Sequence, residues 1–201
     1  MTRTFFIILT IFSSTLSMSQ TQTFSQTVNN LFFGVDVSNK SSSLLDSFLS
    51  VSQLHHRDTV ARQWNLNVAV QMKTDKQAWS ARHEFSFSQG PLPDLKLSKG
   101  LIEVTIGEAG EVKKLLDLNW HLEFENEQDA SKYFEKLKQD FSSVSTKKKF
   151  DYDKDVGHMA QFSTRKQTDI GVKDVTIFLS MPSQAKKYRI TLLFGNKLMD
   201  E

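Results

Sequence analysis

From Leu116 to Phe124 the apolar side chains recur at every second position: Leu116, Leu118, Trp120, Leu122 and Phe124. Asp117, Asn119, His121 and Glu123 stand between them, and Glu125 follows. This pattern constrains the fold more than any other feature. A two-residue period matches a pleated strand with one dry face and one wet face, and it matches no helix. The same period runs through Trp64, Leu66, Val68, Val70 and Met72, and again through Trp79, Ala81, His83, Phe85 and Phe87. Shorter versions surround Ile102-Val104-Ile106, Ala160-Phe162, Val175-Ile177-Leu179-Met181 and Tyr188-Ile190-Leu192-Phe194. "LFFGVDV" at 31–37 also reads as a strand, and "KTDKQ" and "GEAGE" read as turns. Half-wet strands of this kind belong to antiparallel sheets.

Two segments change period. Ala130, Tyr133, Phe134, Leu137 and Phe141 share one helix face, with Asn126 placed to cap the first turn. "SSSLLDSFLSV" presents Leu44, Leu45, Phe48 and Leu49 in the same way. The expected class is therefore α+β: a largely antiparallel sheet of about seven or eight strands with two helices. The order strand, helix, three strands occurs twice, as a repeat of pattern without residue identity. Residues 20–201 form one domain on this reading, or two lobes at about 27–107 and 108–201.

The opening "MTRTFFIILTIFSSTLSMSQ" stands apart. Arg3 precedes an apolar run from Thr4 to Phe12, and Ser17 and Ser19 fit the small-residue pocket of a signal peptidase. Cleavage is expected between Ser19 and Gln20, leaving residues 1–19 as a signal peptide. The run is about half the 20 apolar residues that a membrane span needs. The chain has no cysteine, so the mature protein carries neither a disulfide nor a lipid-anchoring thiol. That combination implies a bacterial periplasmic or secreted protein with no membrane anchor in its mature form. The net charge of +2 falls to +1 when Arg3 leaves, which gives no electrostatic footprint for nucleic acid.

Signatures of chemistry are sparse. The eight glycines form no phosphate loop, and there is no nucleophile elbow. "HHRD" places His55, His56 and Asp58 together, a metal-compatible set that lacks a second ligand group and reads as a solvated loop. No metal and no cofactor are expected. Asp117, His121 and Glu123 share one strand face, where carboxylates beside an imidazole suit general acid-base work, or else form the wet side of a sheet. His83 shares its face with Trp79, Phe85 and Phe87 and is expected at the core edge. Trp64, Trp79 and Trp120 lie on apolar faces, as core or as the wall of an apolar-ligand cavity. "SSVSTKKKFDYDKD" reads as a basic polar loop after the second helix.

The strand-helix pairs "LFFGVDVSNKSSSLLDSFL" and "LNWHLEFENEQDASKYFEKL" resemble the tandem helix-plus-sheet order of β-lactamase-inhibitor-protein-like secreted bacterial domains. That resemblance implies a tandem fold and leaves function almost untouched. Two functions follow from the residues. One is an exported, non-enzymatic module that binds a protein, a peptide or an apolar ligand. The other is a hydrolase-type enzyme using the face of Asp117, His121 and Glu123.

Overall fold

The alternating segments pair into one antiparallel sheet in the computed structural model, which describes residues 22–37, 41–58, 63–64, 69–70, 72, 77–91, 97–153, 157–165, 172, 174–180 and 187–195. Its strands are β1 (His55–Asp58), β2 (Gln63–Trp64), β3 (Trp79–Phe87), β4 (Lys99–Ala109) and β5 (Val112–Phe124). They continue as β6 (Lys147–Asp153), β7 (Gly157–Ser163), β8 (Asp174–Ser180) and β9 (Tyr188–Phe194). The spatial order is β1-β3-β4-β5-β9-β8-β7-β6, and β2 pairs with β3 further along the edge that β1 occupies. Strands β6 to β9 are consecutive antiparallel neighbours, and β3 to β5 are another such run. The runs join through their last strands, with Trp120 opposite Leu192 and His121 opposite Thr191. The class is α+β, as the periodicity implied.

Three helices, α1 (Phe24–Leu31), α2 (Ser41–Leu49) and α3 (Glu127–Val144), pack on the apolar face of this sheet. Ala130, Tyr133, Phe134, Leu137 and Phe141 of α3 are all buried. Asn126 caps the helix, its side chain accepting from the Asp129 N–H at 2.8 Å. Aromatic rings tie the layers together: Phe32 meets Phe194 at 5.0 Å, Phe48 meets Phe85 at 5.3 Å, and Phe24 meets Phe141 at 5.4 Å. Leu118, Trp120, Leu122 and Phe124 are fully buried beneath them.

The structure corrects several sequence expectations. There are three helices among the described residues, not two. The added one, α1, is fixed by a capping box in which the side-chain oxygens of Thr23 and Gln26 each accept from the other's backbone N–H, and Phe24, Val28 and Leu31 form its buried stripe. "LFFGVDV" is consequently no strand: it is the end of α1 and a turn in which Phe33 (φ 57°) and Gly34 (φ 80°) adopt left-handed backbone. "HHRD" is an edge strand, β1, because its backbone pairs with β3. The expected strand from Trp64 to Met72 is also wrong. Among the described residues there, Trp64 ends the short strand β2, residues 69–70 are helical and Val70 is 69% exposed, while Leu66 and Val68 lie outside the described residues.

"KKKFDYD", expected in a loop, is β6. Leu116 leaves its alternate row because a bulge pairs Asp117 with Thr105 but Leu115 with Ile106. It packs instead with Ala78 and Ala109, apart from the main core. Met181 and the side chain of Trp64 lie outside the described residues. No helix among the described residues is long and apolar enough to cross a membrane.

Candidate functional site

Strict alternation in four adjacent strands sends one set of side chains into the core and the other onto the face away from the three helices. Over β3, β4, β5 and β9 that second set includes Arg82 and Glu84, then Lys99, Leu101 and Glu103, then Asn119, His121 and Glu123, then Arg189 and Thr191. All of these except Asn119 and Thr191 line a shallow depression of about 400 Å3. Glu84 and Glu103 sit directly opposite each other, an arrangement that repels unless a cation intervenes. Arg82 supplies it, contacting Glu84 at 3.1 Å and Glu103 as well. Arg189 holds Glu123 at 2.7 Å.

His121 sits at the middle of this network. Its Nε2 lies 3.3 Å from Glu103 Oε2 and its Nδ1 lies 3.1 Å from Thr191 Oγ1. An ionised carboxylate only accepts, so in the neutral ring Nε2–H donates to Glu103, and Nδ1 accepts from the Thr191 hydroxyl. Both ring nitrogens are occupied by partners of the same sheet. Hydroxyl, imidazole and carboxylate stand in the order of a nucleophile-activating relay. Yet Thr191 and His121 lie on inner strands, whose backbone N–H groups are spent on their neighbours. Among the described residues these strands therefore offer no free backbone pair for an oxyanion, and the cationic donors of the face are Arg82, Lys99 and Arg189.

Chain comparisons with family models, curated proteins and solved structures gave no match. The site therefore rests on its own geometry.

The sequence placed Asp117, His121 and Glu123 on one face, and the structure puts them there, but it does not bring them together. Asp117 lies four positions from His121, roughly 13 Å along a strand. The carboxylate that meets His121 is Glu103, which the sequence reading missed. Alternation on β4 (Lys99, Leu101, Glu103) was the available signal, but only the register places Glu103 opposite Asn119 and diagonal to His121. Glu125 lies just past β5 and pairs with Lys187 at 3.2 Å.

His55 and His56, as strand neighbours, point to opposite faces and cannot share a metal. His56 instead stacks on His83, with Nε2 3.3 Å from Nδ1, and packs on Phe85. No group of three or more metal-binding side chains is gathered among the described residues.

Burial pushes the His121 pKa below its ordinary 6.5; the Glu103 charge and hydrogen bond pull it back up, while Arg189 and Arg82 lower it. The unfolded chain therefore takes up a proton that the folded ring resists. Stability should be highest above about pH 6.5 and fall as the pH drops through the depressed folded value. His121→Gln, which cannot titrate, is expected to lose less stability than wild type between about pH 7 and pH 5. Urea melts at both pH values test this; a steeper loss in the variant would contradict the assigned sign.

Proposed function

We propose that the protein is an exported, non-enzymatic binding module that presents the sheet face away from α1, α2 and α3 to a protein or peptide. One observation carries this reading: Arg82, Lys99, Glu103, Glu123 and Arg189 surround Leu101 in an open depression at the centre of the sheet. Charges of both signs around an apolar centre suit a polar macromolecular surface, where they fix register and orientation. An apolar ligand fits this face poorly, and the aromatic layer on the other side is filled by Phe24, Phe32, Phe48 and Trp120. The backbone N–H groups of the inner strands are spent on their neighbours, which among the described residues leaves no oxyanion pair beside His121 and speaks against the hydrolase reading. Arg3, the Thr4–Phe12 run and Ser17-x-Ser19 support export. The inhibitor-type resemblance is compatible with such a module.

A photo-crosslinking side chain placed at Leu101 tests it, with Gln139 on the outward side of α3 as control. The exported form should begin at or near Gln20. Leu101 should give an adduct of defined mass that Arg189→Glu abolishes, while Gln139 should give none. Equal labelling from both positions, or an intact Met1 in the membrane fraction, would count against the proposal. Ester or peptide turnover lost in both His121→Ala and Thr191→Val would favour the hydrolase instead.

A further inference from the structure

Strand β6 ends the sheet. Its inner edge pairs with β7, no strand among the described residues pairs with its outer edge, and all seven of its residues are exposed. Phe150 and Tyr152, on the helix side of the strand, are 53% and 56% exposed. A long exposed edge carrying aromatics is a template for another strand. Lysines usually guard such edges by repelling a second chain. Here the guard is incomplete, because Lys147 and Lys149 at one end are matched by Asp151 and Asp153 at the other.

We propose that β6 is a dimerisation edge that pairs antiparallel with β6 of a second copy, centred on Phe150. In that register Lys147 faces Asp153 of the second copy, and Lys149 faces its Asp151. Two-fold symmetry repeats each pair. On the other side of the strand Phe150 meets its own counterpart and Lys148 meets Tyr152, an aromatic pair flanked by cation-aromatic contacts.

The charges select this register. Opposed residues must share a face, so the centre can move only in whole-residue steps. One step toward the lysines puts Lys149 opposite Lys149, and one step toward the acids puts Asp151 opposite Asp151. Each is repulsive. The ion pair that Lys149 makes with Asp151 within one chain, at 3.8 Å between exposed groups, is weak enough to exchange for a cross-strand one. Lys138 of α3 lies 5.2 Å from the Phe150 ring and holds it at the strand edge.

Sedimentation equilibrium of the purified chain at about 100 μM should show a mass twice that of one chain, since a single strand pair is a small interface. An all-acid edge (Lys147→Asp with Lys149→Asp) and an all-basic edge (Asp151→Lys with Asp153→Lys) should each be monomeric. Mixed one to one, these two variants should restore the dimer, because every ion pair is re-formed between them. The absence of native cysteine lets a single thiol report the register: Phe150→Cys should oxidise to a disulfide-linked dimer, and Lys147→Cys should not. A monomeric wild type, dimers unaffected by either double variant, or a mixture that stays monomeric would overturn the proposal.

Discussion

Trp120→Ala is expected to lower the free energy of unfolding by about 3–5 kcal/mol, the usual cost of removing a large aromatic from a core. The indole is fully buried where the layers meet. One face stacks on Phe87 at 6.0 Å and 19°, and Tyr133 of α3 lies at 6.4 Å. Gly100, opposite Phe87 in the register, makes the stack possible, since a β-carbon there would overlap the Phe87 ring. Truncation would therefore unseat a strand contact and a helix contact together, leaving a void that rigid strands cannot close. Trp120→Phe should cost less. The buried indole N–H has no hydrogen-bond partner among the described residues, so its removal forfeits only volume. A denaturant melt showing less than about 1 kcal/mol lost in Trp120→Ala would place the residue outside the core.

The sequence announced Trp120 because β5 and β9 are long central strands with one face dry and the other wet, and a two-residue period is the direct imprint of that environment. The same imprint recovered β3, β4 and β8, and a 3.6-residue period recovered α3. It failed where the environment is not two-sided. β6 is exposed at every position and β1 at each position whose burial is described, so neither carries a period, and backbone pairing alone makes them strands. Between Trp64 and Met72 the period was present, yet among the described residues 69–70 are helical and Val70 is exposed. Apolar spacing states which faces could be buried, and the neighbours decide which are. At α1 the clue was a local one, the Thr23–Gln26 capping box, hidden beside an apolar "LFF" that invites a strand reading.

The candidate site was half legible for a related reason. His121, Glu123 and Asp117 are neighbours along one strand and could be read as a row. Glu103, Arg82, Thr191 and Arg189 reach them only across strands. Those partnerships depend on register, which a bulge at Thr105/Ile106 resets and which alternation along one strand does not encode.

Gly157→Ala is expected to cost about 2–4 kcal/mol, because two penalties coincide at one residue. The backbone there has φ +101°, a conformation open to glycine and strained for any L side chain. An added β-carbon would also overlap the Leu179 carbonyl oxygen of β8, and a backbone atom cannot swing aside as a side chain can. Gly110 separates the two effects. It too has positive φ (+64°), in the β4–β5 turn, but a β-carbon there meets nothing within 4 Å. Gly110→Ala should therefore show only the backbone preference, about 1–2 kcal/mol.

Gly157 also pairs with Asp153 at the start of the β6–β7 hairpin, so its damage should be local before it is global. Hydrogen exchange in Gly157→Ala should accelerate first in β6 and β7, while β5 and β9 keep their protection. Equal losses in the two alanine variants would mean that contact with Leu179 adds nothing, and the close approach of β7 to β8 would have to be abandoned.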